Sequence, residues 1–278
     1  MSLTSIRTVF VPNQKNFEHV TIQFHKYQGT GNDFVMIDDR SGNFPLGNKK
    51  VISFLCDRKM GVGADGVILI QNHPDLDFKM VYYNPDGSES LCGNGSRCAI
   101  AFAKALGIIG DSTSFETTDG VHDAYFDGEI VHFHLHDVMG TNQLGEDWFI
   151  NTGSPHHMVF VDDVMGIDII AEGQKIRYSD NYAPAGTNVN FVEKAGDGIK
   201  VRTYERGVEN ETLSCGTGVT ACALASSFLG YESPVQIHAQ GGELSVSFNK
   251  KDDQTFDNIY LAGPAKKVFE GRITLDTI

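Results

Sequence analysis

The sequence predicts an α+β chain of two pseudo-symmetric lobes, each a mixed, barrel-like β-sheet wrapped around a central helix, with the functional site in the cleft between them. Three observations carry this. Leu91-Cys92-Gly93-Asn94-Gly95 and Ser214-Cys215-Gly216-Thr217-Gly218 nearly repeat each other in the two halves, as an internal duplication would leave them. Each runs into a stretch that is apolar almost all round, which is the pattern of a buried helix rather than a surface one. Strand signals dominate elsewhere.

Taken in order, residues 48–60 place Val51, Ile52, Phe54 and Leu55 on one side and meet Gly61, which reads as a helix with its stop. Residues 95–106 carry Ala99, Ile100, Phe102, Ala103 and Leu106 and end at Gly107, predicting the first buried helix. Asp127-Gly128, between Ala124-Tyr125-Phe126 and Ile130-Val131-His132-Phe133, is a strong hairpin signal. Val201, Thr203 and Glu205 alternate with Lys200, Arg202 and Tyr204, as a strand requires. Residues 217–229 repeat the buried-helix pattern and end at Gly230; Leu244, Val246 and Phe248 then alternate as a further strand. Strand patterning gives way near 137–140. The expected lobes are therefore 1–136 with 264–278, carrying Cys92, and 137–263, carrying Cys215.

Composition is that of an ordinary globular protein: 278 residues, 41% apolar and 21% charged. Thirty-six acids against 22 bases give a formal charge of -14, a surface that repels nucleic acid and anionic membrane. No apolar run approaches the length of a membrane span. Residues 1–23 carry Arg7, Lys15 and Glu18 without a long apolar stretch, so no secretory signal is expected there. Five cysteines without regular spacing beyond the paired motifs read as free thiols in a cytoplasmic protein.

A thiol at the mouth of each of two helices can be held on opposite sides of one small molecule. Inverting a carbon α to a carboxylate needs such a pair, one group to remove a proton and one to return it. A free thiol is only slightly ionised at neutral pH, so one is expected to be shifted down by a helix N-terminus. The flanking glycines let bare amides approach a carboxylate whose charge grows in the reaction. Cys98, Cys222 and Cys56 fall on apolar helix faces and read as packing residues.

Other features read as structural. Gly61-Val62-Gly63-Ala64-Asp65-Gly66 has the dinucleotide-binding spacing but follows a helix and opens a strand, which is the reverse of what that motif needs. His132, His134 and His136 share one strand face, and with no carboxylate or thiol to complete a ligand set they predict a solvated face and no metal. Trp148 reads as packing.

Gly29-Thr30-Gly31-Asn32-Asp33-Phe34, Tyr83-Asn84-Pro85-Asp86-Gly87-Ser88, Cys92-Gly93-Asn94-Gly95-Ser96-Arg97-Cys98, Gly153-Ser154-Pro155-His156, Thr187-Asn188-Val189-Asn190-Phe191 and Tyr204-Glu205-Arg206-Gly207 leading to Cys215-Gly216-Thr217-Gly218 stand in one order from about residue 23 onward. As a set they are highly specific, and with them the chain resembles the diaminopimelate epimerase family. The resemblance implies cofactor-independent, two-base epimerisation of LL-2,6-diaminopimelate to the meso isomer, feeding lysine and peptidoglycan biosynthesis, in a cytoplasmic homodimer. It implies Cys92 as proton donor and Cys215 as acceptor, exchanging roles in reverse, with His156 and Glu205 tuning the thiols. Gly93, Asn94, Gly216 and Thr217 would hold the α-carboxylate, and Asn32, Asn84, Asn188 and Arg206 would recognise the rest, Arg206 suiting a distal carboxylate. Glu205 can also accept from an ammonium. Gly66, Ser154 and Phe269 depart from residues common in the family, namely Gln, Asn and a dimer-contact Tyr. The rival of the same chemistry is a proline-racemase-like enzyme; those of other classes are a thiol-disulfide enzyme, which lacks its Cys-x-x-Cys, and a non-catalytic amino-acid-binding protein.

Overall fold

Two consecutive stretches of the chain carry out the same sequence of strand pairings. The computed structural model describes residues 20–275. Most of the N-terminal stretch read for a secretory signal lies outside these residues, as do the last three.

The first stretch comprises β1 (Val20–Gly29), β2 (Asn32–Asp38), α1 (Lys49–Cys56), β3 (Gly66–Gln71) and β4 (Phe78–Tyr83). It continues through α2 (Gly93–Ala105), β5 (Ser112–Thr117), β6 (Gly120–Asp127), β7 (Ile130–Leu135), β8 (Val138–Met139) and β9 (Thr141–Leu144). The second comprises β10 (Asp147–Asn151), β11 (Pro155–Val161), α3 (Ile169–Arg177), β12 (Asn188–Ala195), β13 (Gly198–Glu205) and β14 (Asn210–Thr212). It ends with α4 (Gly216–Ser226), β15 (Val235–Ala239), β16 (Gly242–Lys250), β17 (Thr255–Pro264) and β18 (Lys266–Leu275).

From β1 to β7 the successive ladders run antiparallel, parallel, antiparallel, parallel, antiparallel and antiparallel. The ladders β10–β11, β11–β12, β12–β13, β13–β15, β15–β16 and β16–β17 repeat that order. The two halves join where β7 pairs antiparallel with β17, Phe133 opposite Leu261. Each half then sends its last strand across. β9 pairs with β10 of the second half, and β18 pairs with β1 of the first.

Each sheet curls around one helix. α2 touches β1 to β4, β7, β17 and β18, whereas α4 touches β10 to β13 and β15 to β17. Burial on all sides explains why neither helix shows a polar stripe. Cys98, Ile100 and Phe102 of α2 and Val219, Cys222 and Leu224 of α4 share one apolar core. α1 and α3 cover outer faces, α1 over Val35, Val67 and Leu69, α3 over Val189, Phe191 and Tyr204.

The predicted 127–128 hairpin forms, with Asp127 opposite Ile130 and Gly128 at φ 59°. The first helix ends four residues before its expected limit. The Asp57 carboxylate accepts from Lys59 N and Met60 N, while Leu55 O and Cys56 O accept from Gly63 N and Ala64 N. A turn thus takes the carbonyls that a further helical turn would have used. This is the Gly61–Gly66 segment, which follows α1 and opens β3 as read. α3 has no counterpart in the sequence reading. Its signals are Asp168, whose side chain accepts from Ala171 N, Glu172 in the first turn and Lys175 and Arg177 in the last. Among the described residues no helix is long and apolar enough to cross a membrane.

Candidate active site

Cys92 and Cys215 occupy the same place in the two lobes, each as the N-cap of its central helix with extended backbone. The two helices meet end to end. A Cβ added to Gly216 would stand 3.2 Å from Gly93 Cα and 3.4 Å from Asn94 N, and one added to Gly93 would stand 3.5 Å from Gly216 Cα. Leu261, on the strand that joins the lobes, closes the floor at 3.1 Å from either. A side chain at either position would press its neighbours aside by a few tenths of an ångström, so glycine suits this approach. Two helix N-termini, each carrying roughly half a positive charge and unpaired amides, therefore converge on one point, an anion site made of backbone. Asn94 spans the junction, its Nδ2 donating to Ser214 O at 3.0 Å.

The two sulfurs have different neighbours. The Cys92 thiol donates to Asn32 Oδ1 at 3.5 Å and accepts from Gly95 N at 3.4 Å. Asn32 is turned this way by Asp65, whose Oδ2 accepts from Asn32 Nδ2 at 2.6 Å. Cys215 Sγ lies 3.6 Å from Thr217 Oγ1, which is 2.9 Å from His156 Nε2 and 3.0 Å from Ser154 Oγ. His156 is fully buried, and its Nδ1 accepts from Asn190 Nδ2 at 3.1 Å. Thr203 Oγ1 donates to Asn190 Oδ1 at 2.9 Å, which fixes that amide. A neutral ring accepting at Nδ1 carries its proton on Nε2, aimed at the Thr217 and Ser154 hydroxyls.

The expectation that a helix N-terminus leaves one thiol shifted down does not hold. Burial pushes Cys92 up to about 11, and the Glu205 charge adds to it, while the Gly95 and Asn94 amides and Arg97 pull the other way. Burial, then Glu205, raises Cys215 further, against the Thr217 hydroxyl. Desolvation outweighs the amides, with Cys215 buried and Cys92 partly buried. Burial raises the Glu205 carboxyl as well, opposed by Thr212 Oγ1, which donates to it at 2.9 Å. Neutral thiols beside a half-buried carboxylate make a site that a cationic group would relieve.

The other expected residues form a rim. Asn188 Oδ1 accepts from Arg206 N at 2.9 Å, and its Nδ2 donates to Pro155 O at 2.9 Å and Ser154 Oγ at 3.4 Å. Asn188 thus ties Arg206 to the strand that bears His156. Among the described residues the Arg206 guanidinium donates only to Ala185 O and Gly186 O, at 3.3 and 3.5 Å, whereas those of Arg40, Arg58, Arg177 and Arg202 all pair with carboxylates. Asn84 stands one step back. It accepts from Tyr82 OH at 3.0 Å and donates to Ser88 and Ser90. Gly66 leaves no room for a side chain, since a Cβ there would fall 2.3 Å from the Tyr82 ring. Asp65, Asn190 and Thr212 escaped the sequence reading. Asp65 was visible only as part of a turn, and it reaches Asn32 because β2 and β3 pair in parallel.

Cys56, Cys98 and Cys222 are buried packing residues, and all five cysteines are free. Trp148 stacks on Phe228 at 4.2 Å. The histidine tract is less solvated than expected. His132 stacks on Tyr125 and His134 lies against Tyr260, while His136 turns toward Asp119. Asp119 also accepts from His122 at 3.0 Å and from Thr117, and His122 Nδ1 donates to His134 O, so these bonds account for the cluster.

Burial, reinforced by the Arg206 charge, pushes His156 down to about 3. A depressed folded value means that neutral His156 contributes stability above its unfolded pKa, about 6.5, and that this is lost as pH falls toward 3. Wild type is expected to lose about 2 kcal/mol more than His156→Gln between pH 7.5 and 4.5, read from urea midpoints. Equal losses would mean that the ring titrates normally.

The family model described as diaminopimelate epimerase matches residues 24–129 and 148–268. A diaminopimelate epimerase of Flavobacterium psychrophilum is 50% identical over 257 residues, 91% of this chain and 100% of that one. One of Aquifex aeolicus is 42% identical, over 92% of this chain and 99% of its own. Among solved structures, a Bacillus anthracis phenazine biosynthesis protein of the PhzF family aligns with a TM-score of 0.74 at 15% identity, covering 92% of this chain and all of the other. A hydroxyproline epimerase from Agrobacterium vitis, with trans-4-hydroxy-L-proline bound, gives 0.70 at 15% identity, covering 93% and 92%. These two share the two-lobed α+β fold. With the family match spanning most of both lobes, the chain belongs to the diaminopimelate epimerase family.

Proposed function

We propose that this protein is an isomerase that interconverts LL- and meso-2,6-diaminopimelate by proton transfer at one α-carbon between two thiols. The observation that carries the reading is the end-to-end meeting of two helix N-termini, each capped by a cysteine. In this reading the α-carboxylate lies on the amides at Gly93, Asn94, Gly216 and Thr217, and the α-ammonium lies against Glu205. Neutralising Glu205 removes a charge that raises both thiols.

Cys215 gives its own proton to solvent as substrate enters and, as thiolate, takes the α-proton. The electron pair left on carbon spreads into the carboxylate, where two helix ends and excluded water make the added charge least costly. Cys92 then gives its S–H proton to the opposite face, and the thiols exchange protonation states. The hydrogen bonds support this direction. Cys92 faces the acceptor Asn32 Oδ1, which keeps its proton, whereas Cys215 faces a hydroxyl that His156 Nε2–H can polarise toward sulfur. Burial works against ionisation at Cys215, so that step depends on the substrate ammonium meeting Glu205.

Arg206, without a carboxylate partner among the described residues, supports the second, distal carboxylate as its ligand, with Asn32, Asn84 and Asn188 shaping the rim. The same reading takes 1–136 with 264–278 as one lobe and 137–263 as the other. Cys215 is only 8% exposed, so substrate enters by lobe opening. The reading also places a homodimer in the cytoplasm, where thiols stay reduced, and five free cysteines support that setting.

Incubation in deuterated water with LL-diaminopimelate, meso-diaminopimelate and L-proline tests the assignment. Deuterium is expected at the α-carbon of the epimerised product, ahead of any in recovered starting isomer, and none in proline. Label in proline alone would make the protein a proline-racemase-like enzyme instead.

A further inference from the structure

Arg97 lies on α2, one turn beyond Asn94, and is fully buried. Among the described residues no carboxylate lies within ion-pair reach of it, although the chain has 36 acids. Its Nη2 donates to Asn94 Oδ1 at 3.0 Å and to Thr30 Oγ1 at 3.2 Å, and its Nε and Nη1 have no partner there. The guanidinium rests against β17 at the lobe seam, where a Cβ on Gly263 would stand 3.2 Å from Nε.

Stability does not explain this placement. An unpaired cation in the interior costs free energy that an apolar residue of similar size would not. A cation near a helix N-terminus also opposes the helix dipole.

The geometry does connect Arg97 to both thiol loops. By occupying Asn94 Oδ1 it turns the Asn94 Nδ2 toward Ser214 O, beside Cys215, and toward Asn32 Oδ1, beside Cys92. Thr30 continues the link, donating from Oγ1 to Ser214 Oγ at 3.2 Å. We propose that Arg97 is a positioning residue for the epimerisation: it locks the amide that spans the two cysteine loops, and its buried charge offsets the negative charge that builds on the substrate between them. This rests on the two-thiol reading above. Burial lowers the guanidinium to about 10, so it remains a cation at neutral pH, and its charge lowers Cys92.

The test compares wild type, Arg97→Met and Arg97→Lys by steady-state kinetics on LL-diaminopimelate, pH profile and thermal midpoint. Arg97→Met is expected to lose at least about tenfold in kcat with KM changed less than about threefold, since the effect is on charge formed in the transition state. Its alkaline limb in kcat/KM, where Cys92 must keep its proton, should move up by about half a pH unit or more, and its thermal midpoint should not fall. Arg97→Lys keeps the charge but not the fork, and should hold the wild-type limb while kcat falls about fivefold. Wild-type kcat in either variant, or a loss confined to thermal midpoint with the limb unmoved in Arg97→Met, would overturn the proposal. Inactive wild type would instead overturn the function itself.

Discussion

Cys215→Ala and Cys92→Ala are each expected to lower kcat for epimerisation by about 10²- to 10⁴-fold or more, the range for removing a positioned acid or base. The double variant should be no slower than the worse single one, because each thiol is useless without the other. The folds should survive, with a small difference between them. Cys92 accepts a bond from Gly95 N as a side-chain cap, and Cys215 makes no cap bond. Losing the former costs about 1 kcal/mol or less, a thermal shift of a few degrees, and losing the latter almost none. Steady-state rates in both directions, with thermal melts, check this. A single variant that keeps a tenth of the wild-type rate would show that another group serves as acid or base.

Arg206→Met should lower kcat/KM by about 30- to 1,000-fold, the equivalent of about 2–4 kcal/mol for stripping a buried charge of its partner. Most of the loss should fall on KM, because a carboxylate remote from the reacting carbon is held equally in ground and transition states. Stability should change little, since among the described residues the Arg206 side chain makes only two long bonds, both to backbone oxygens. Initial rates over a range of substrate concentrations separate the two parameters. An unchanged KM would put the distal carboxylate elsewhere.

Local patterns made much of this legible in the sequence. The twin cysteine motifs, the all-apolar helices after them and the 127–128 hairpin each lie within a dozen or so residues. α3 was missed because its buried side amounts to Ile169 and Gly173, too faint for a periodicity argument. The end of α1 depends on carbonyls captured by Gly63 and Ala64, a turn that hydrophobic spacing does not encode. The site divides the same way. Cysteines at helix mouths can be read from a motif, but Asp65 orienting Asn32, and Asn190 fixing the His156 tautomer, depend on strands brought together by parallel pairing. The thiol shifts run opposite to the sequence expectation for a related reason. A dipole belongs to a helix and can be inferred from it, whereas desolvation belongs to everything packed around the sulfur.

The crossing of β9 and β18 bears on how such a molecule can be divided. A polypeptide holding one repeat would end in a strand with no sheet of its own to join, and its cysteine would face an empty helix end. Two copies would complete each other by trading those strands, with a twofold axis passing beside β7 and its counterpart. Expressed separately, the halves of this chain should therefore gain structure when they are mixed. Covalent continuity here fastens together what would otherwise be two subunits sharing a single reaction centre.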